Sequence, residues 1–141
     1  MRKLFFIFIA VIFPILIGAL KSCSKEPHFE YKEYLIQVDS IKVPPIINVG
    51  IPFQIEFYGT ISYSGCSEFS HFTVTRSDFE IGIEAWKLST VPNPGFIIAC
   101  PAVMVYLDGE ILEYQLDDPG VYEIKIKRPD RTFLRKRITV T

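Results

Sequence analysis

The chain has 141 residues but only two histidines, three cysteines and one tryptophan. Neither His28 nor His71 stands at ligand spacing to a cysteine, which argues against a zinc site. No glycine-rich phosphate loop occurs, and no oxygen-rich calcium loop spacing either. No helix-period stretch follows residue 23. Positive charge is also scarce where it would matter. Residues 1–22 hold three of the 15 basic residues (Arg2, Lys3, Lys21) and no acids. The remaining 119 residues carry 12 basic and 16 acidic groups, a net charge of about −4. Nucleic-acid binding needs a positive field, so this balance argues against nucleic acid as a partner. No cofactor is implied.

What is present begins with Met1-Arg2-Lys3, an apolar run from Leu4 to Leu20, and Lys21-Ser22-Cys23. A positive n-region, an apolar h-region and a nearby cysteine have the layout of a secretory signal. The residues Leu20-Lys21-Ser22-Cys23 resemble a bacterial lipobox, in which the Cys is lipidated and becomes the new N-terminus. Leu20, Ser22 and Cys23 fit that pattern; Lys21 replaces a residue that is usually small and uncharged. Two other readings compete. An uncleaved transmembrane anchor needs about 17–20 apolar residues, and Leu4–Leu20 reaches only the short limit with Pro14 in its middle. An ordinary signal peptide with a nearby cleavage site is the third. The favoured division is a lipoprotein signal peptide at 1–22, a lipid-anchored tether at 23–32 and one domain at 33–141. The domain then faces an extracytoplasmic space, and its first partner is the membrane, reached through lipid on Cys23.

An oxidising compartment gives meaning to the two cysteines left over. Cys66 and Cys100 form an even set there and are expected to be disulfide-bonded. The alternative is two separate buried thiols.

From Glu33 onward the pattern is β. Tyr34, Ile36 and Val38 alternate with Leu35, Gln37 and Asp39, and an irregularity near Ser40 precedes Ile41 and Val43. Residues 51–63 read as a second strand with Phe53, Ile55 and Phe57 on one face and Gly59 permitting a bulge. Phe69 to Arg76 is a third. A fourth runs from Phe79 to Leu88, with Phe79, Ile81, Ile83 and Ala85 inward and Glu80, Glu84 and Trp86 outward. Residues 90–101 form the longest irregular stretch. Asp108-Gly109 between two β runs reads as a hairpin. Residues 121–127 alternate cleanly, Pro129-Asp130 marks another hairpin, and 133–140 closes the chain. About seven turn-separated strands with no helix indicate an all-β, antiparallel sandwich.

The stretch Leu116-Asp117-Asp118-Pro119-Gly120-Val121-Tyr122 resembles the Leu-x-x-Pro-Gly-x-Tyr corner of immunoglobulin-like domains. That resemblance implies a tyrosine corner at Tyr122, its hydroxyl bonded back to the corner backbone. The whole chain is similar to small envelope lipoproteins with a single immunoglobulin-like domain, common in outer membranes. The placement of Cys66 and Cys100 is not that of the inter-sheet pair of antibody domains.

Catalytic chemistry has little to stand on. Ser70 and His71 are adjacent in sequence, whereas a Ser-His-acid hydrolase requires convergence in space. Asp117-Asp118 suits a turn, and Glu80 with Glu84 suits a solvated strand face. Binding surfaces are better supported. Trp86, pointing outward beside Glu84 and Lys87, could stack on a sugar or anchor a partner; a core position is the competing reading. Phe96, Ile97 and Ile98 within the 91–99 loop imply packing over an open sandwich end or an exposed sticky surface. Arg131, Arg135, Lys136 and Arg137 form a basic patch that pairs with acids such as Glu123 or faces solvent. The chain therefore reads as a non-catalytic binding or structural module, its further partner an envelope protein or glycan. The alternatives are an accessory or inhibitor-like subunit using residues 91–99 and, more remotely, a hydrolase.

Overall fold

The computed structural model describes residues 29–141. The signal segment 1–22, Cys23 and the first six tether residues, 23–28, lie outside the described residues. Ten strands are present among the described residues: β1 (Phe29–Leu35), β2 (Gln37–Lys42), β3 (Ile46–Ile47), β4 (Phe53–Ser62), β5 (Ser67–Ser77), β6 (Glu80–Pro92), β7 (Val105–Tyr106), β8 (Ile111–Tyr114), β9 (Gly120–Lys127) and β10 (Phe133–Val140). They form two sheets, and no helix occurs among the described residues. The larger sheet contains β1, β3, β5, β6, β9 and β10; the smaller contains β2, β4, β7 and β8.

Alternation builds the core. Phe53, Ile55, Phe57 and Ile61 of β4 face Ile81, Ile83 and Ala85 of β6 and Tyr122, Ile124 and Ile126 of β9 across the gap, all buried. Period-two patterning on two facing sheets gives one continuous apolar layer. Phe72 packs on Phe57 with ring centroids 4.4 Å apart, and Phe69 on Phe72 at 4.8 Å. These aromatics extend the core toward the end where β5 begins.

The strand β6 organises the larger sheet. Its one edge pairs with β5 along nearly its full length. Its other edge holds β9 along Glu80–Ile83 and β1 along Trp86–Pro92. The β6·β9 and β3·β10 pairs are parallel and the rest antiparallel. The register of β1 on β6 sets Phe29 opposite Pro92.

Four expectations change. The single first strand is two. At Ile36 the chain leaves the larger sheet for the smaller one, and Ile36 N–H donates to Ala85 O at 2.8 Å as it crosses. The domain also begins earlier than 33, since Phe29 to Lys32 are paired in β1 and are not tether. Phe79 is not inward. It sits in the Asp78-Phe79 turn, more than half exposed, with its ring edge-on to Tyr122 at 5.3 Å.

The fourth concerns Asp108-Gly109, which does not close a hairpin. Both β7 and β8 pair with β4, in the same direction and one after the other. The dipeptide is a turn-like interruption within one edge strand, closed by Glu110 N–H to Leu107 O at 3.1 Å. A type I′ hairpin needs positive φ at both central residues, and only Gly109 has it, at 97°.

The irregularity near Ser40 is a register shift between Val38 and Ser40, opposite Gly59 on β4. Gly59 permits this close approach: a Cβ there would fall on the Gln37 carbonyl oxygen. The β9–β10 hairpin turns at Pro129-Asp130, where Asp130 Oδ1 accepts from Thr132 N at 2.9 Å and from Thr132 Oγ1 at 2.7 Å.

Candidate functional site

Two surfaces contend, and geometry separates them. The first is the outer face of the larger sheet around Trp86. Alternation turns Ala85 inward and Trp86 outward, between Leu35 of β1 and His71 of β5. Its indole is half-buried, and the His71 ring lies parallel to it, 16° between planes and 6.3 Å between centroids. Trp86 Nε1 is buried and has no acceptor among the described residues. One ring face is thus already covered by a protein side chain, and the polar handle of the indole is turned away from solvent. That is a poor platform for a sugar, which needs an open aromatic face.

Ser70, His71 and Glu33 do converge beside Trp86. Ser70 Oγ lies 3.0 Å from His71 Nδ1 and 3.0 Å from Glu33 Oε1, and Glu33 Oε1 is 3.4 Å from His71 Nδ1. A proton relay places the nucleophile on one imidazole nitrogen and the acid on the other. Here both partners meet Nδ1, and Ser70 Oγ donates to the carboxylate directly. All three side chains are on the outer sheet face, and Glu33 and His71 are nearly half exposed. The arrangement is a surface hydrogen-bond cluster.

The rest of that face is a charge ladder. Glu80 pairs with Lys125, Glu84 with Lys127 at 2.7 Å, and Glu123 with Arg135 at 3.4 Å. Arg135 of the basic patch is thereby paired, and Glu80 and Glu84 are occupied by lysines. Among the described residues no three His, Cys, Asp or Glu side chains gather in a metal-binding arrangement. A groove of about 730 Å3 opens beside β1, β2 and β4, lined by Tyr34, Gln37, Thr60, Tyr63 and Lys87 among others. Lys87 Nζ donates to Ile61 O there at 2.7 Å.

The second surface is the end of the sandwich beyond β6. Cys66 and Cys100 form a disulfide with Cα atoms 5.5 Å apart. It ties the segment after β6 to the turn before β5. Thr90 N donates to Cys66 O at 3.0 Å and Gly65 N to Pro101 O at 2.9 Å, so backbone contacts flank the bridge on both sides. Between these ties the chain turns at Asn93–Phe96, where Gly95 has φ 92° and Phe96 N donates to Asn93 O. The tip is thrust outward. Ile97 is 98% exposed; Phe96, Val103 and Met104 are exposed, and so is Tyr63 on the adjoining turn. Ile98 is half-buried. Of the three expected loop residues, Phe96 and Ile97 therefore stand on the surface.

Sequence reasoning missed Tyr63, Val103 and Met104 as parts of this surface. A readable signal was available. No charged residue occurs between Lys87 and Asp108, nor between Glu56 and Glu68, in a chain that is 22% charged. The disulfide brings these two uncharged stretches to the same end of the sandwich.

The opposite end is built differently. Tyr122, fully buried, donates its hydroxyl to Asp118 O at 3.0 Å. Arg76 reaches over from β5, its guanidinium 3.0 Å from Asp118 Oδ2 and 5.9 Å from the Tyr122 ring centroid. Aromatic packing, a hydrogen bond and an ion pair close this corner.

Fold and site together define a disulfide-tied β-sandwich whose 93–104 loop is uncharged and apolar, beside the exposed Glu30–Lys32 pair of β1. No family model, curated protein or solved structure matches this chain.

Proposed function

We propose that this chain is a membrane-anchored envelope lipoprotein whose sandwich domain is a non-catalytic binding or structural module. The observation that carries the reading is the N-terminal order: Arg2-Lys3, the apolar run Leu4–Leu20, then Leu20-Lys21-Ser22-Cys23. The Cys66–Cys100 bridge supports it, because disulfides persist in oxidising compartments. Lipid on Cys23 holds the domain to the membrane, and the module acts there on an envelope protein or glycan. The arrangement of Ser70, His71 and Glu33 on a single imidazole nitrogen supports a non-catalytic reading over a hydrolase.

A second reading, an accessory or inhibitor-like subunit, is favoured by one observation. Ile97 stands almost fully exposed on a covalently tied loop that could enter a partner's cleft.

Replacing Cys23 by Ala tests the anchor. The Cys23→Ala protein should move to the soluble fraction or accumulate as an unprocessed precursor. Unchanged membrane retention together with unchanged size overturns the lipid reading.

A further inference from the structure

We infer that the disulfide-tied tip, with Phe96 and Ile97 at its apex, is a lipid-contacting surface that rests on the bilayer in which Cys23 is anchored. The inference rests on the lipoprotein reading. It adds to that reading an orientation, a second membrane contact and the residues that make it.

Chain length and register carry the argument. Phe29 pairs with Pro92, the last residue of β6, so the chain enters the sandwich at the end from which the 93–104 loop departs. Six residue steps separate Cys23 from Phe29, a reach of at most about 21 Å. The strand β6 has 13 residues and spans about 43 Å. An anchor at Cys23 therefore cannot reach the far end of the sandwich, where the Tyr122 corner lies. It holds the tip end close to the membrane.

The chemistry of that end suits a lipid surface. The side chains pointing out of it are Phe96, Ile97, Val103, Met104 and Tyr63, three aliphatic or thioether groups and two aromatics. Amphipathic elements bury such residues about 5–10 Å into the headgroup and acyl boundary, and Tyr is at home at that interface. No charged side chain of residues 88–107 has to be desolvated on approach, and the exposed charges beside the loop, Glu30 and Lys32 of β1, pair with each other at 3.0 Å. The disulfide and its flanking backbone bonds preset the loop, so little chain entropy is lost when the tip docks. The loop itself offers no charge to a polar envelope protein. The contact should also be insensitive to salt, since no ionic attraction contributes to it.

The test uses the full mature protein, purified from membranes and reconstituted into phosphatidylcholine vesicles with or without brominated acyl chains. An Ile97→Trp variant reports on the tip, and an Ile51→Trp variant on an exposed position toward the opposite end. Trp86 is present in both and in the parent, and its signal is subtracted. The added emission of Ile97→Trp should shift to the blue and be largely lost in brominated vesicles, at low and high salt alike. That of Ile51→Trp should be unchanged. Ile97→Trp emission that stays solvent-like and unquenched, in protein whose mass shows a lipidated Cys23, overturns the tip contact while leaving the anchor standing. The same preparation lacking lipid on Cys23 overturns the anchor reading. Quenching of Ile97→Trp in that unlipidated preparation would support the tip as a bilayer contact in its own right. Equal quenching of both variants would mean that the domain lies flat on the membrane, and it overturns the tip-first orientation. As a second measurement, Ile97→Asp should weaken vesicle association of unlipidated Cys23→Ser protein without altering its melting temperature; equal association of the two overturns the contact.

Discussion

The two ends of this sandwich solve the same closure problem by opposite means. At the Tyr122 corner, the chain crosses between sheets over Asp118-Pro119-Gly120, and a buried ring, its hydroxyl's bonds to Asp118 O and Arg76, and the Arg76–Asp118 pair hold it. At the Cys66–Cys100 end the chain makes a long excursion in which residues 94–97 and 99–104 are exposed, and a covalent bond holds it. Exposed apolar residues are absent from neither end, but their settings differ. Phe79 at the corner leans on Tyr122 and Gly120, whereas Ile97 at the tip has almost all of its surface open to its surroundings. Apolar side chains stand out at both ends, Ile51 and Val121 toward the corner and Ile97 at the tip, so what distinguishes the ends is how each is held.

Breaking the covalent tie should have the largest effect. Replacing Cys66 and Cys100 together by Ala removes a bridge across a sequence separation of 34, with a loss of up to about 4 kcal/mol in the loop-entropy picture. Calorimetry with and without reductant on the parent checks it. Proteolysis within 93–104 should rise on reduction. An unchanged melting temperature on full reduction would show that backbone contacts alone hold the tip.

At the other end, Tyr122→Phe keeps the buried ring and removes the hydroxyl's bond to Asp118 O and the longer one it accepts from Arg76 at 3.4 Å. The expected cost is about 1 kcal/mol, a drop of about 4 °C in melting temperature, the same in oxidised and reduced protein. Dependence of this cost on the disulfide would show that the ends are coupled. Breaking the ion pair with Asp118→Asn should cost less still, under about 0.5 kcal/mol, because its carboxylate is largely exposed. Urea melts at low and high salt should place any loss in the low-salt arm.

Acid should act on neither tip residue. The uncharged span from 88 to 107 has nothing to protonate. Sensitivity comes from carboxyls elsewhere. The Tyr58 hydroxyl, at 2.7 Å, and then Lys42 hold the Glu56 carboxyl below its ordinary range. The Thr132 hydroxyl and amide do the same for Asp130. A depressed folded-state pKa contributes stability that is fully present above the unfolded value, about 4 for these groups, and is lost as pH falls through the lower folded value. Glu56→Gln should therefore flatten the acid limb of the stability curve, whereas Ile97→Asp, at an almost fully exposed position, should leave both the acid limb and neutral-pH stability unchanged within about 0.5 kcal/mol. Melting temperatures from pH 2 to 7 decide between them.

Much of this architecture is legible in the sequence, for reasons that also explain the failures. Strict alternation in 53–57 and 121–127 gives both core faces, since period two with one buried side leaves little freedom. The Leu116–Tyr122 stretch gives the corner residue. The crossover at Ile36 is invisible because the alternation of Tyr34, Ile36 and Val38 runs on in the sequence through the change of sheet, although only Ile36 and Val38 are buried. Asp108-Gly109 announces a turn but not what the next strand pairs with, and only the shared partner β4 shows that no hairpin forms. Trp86 is outward by parity, as read, but its cover by His71 depends on the β5 register shift between Phe69 and His71. The apolar tip can be read from the missing charges. That it shares an end with the chain entry requires the Phe29–Pro92 register.

The most direct test of the whole account is the intact mass of the mature protein taken from membranes. It should equal residues 23–141 plus a lipid increment, less the hydrogens lost in forming one disulfide. A mass matching residues 1–141, an unlipidated product or two free thiols at Cys66 and Cys100 would contradict it.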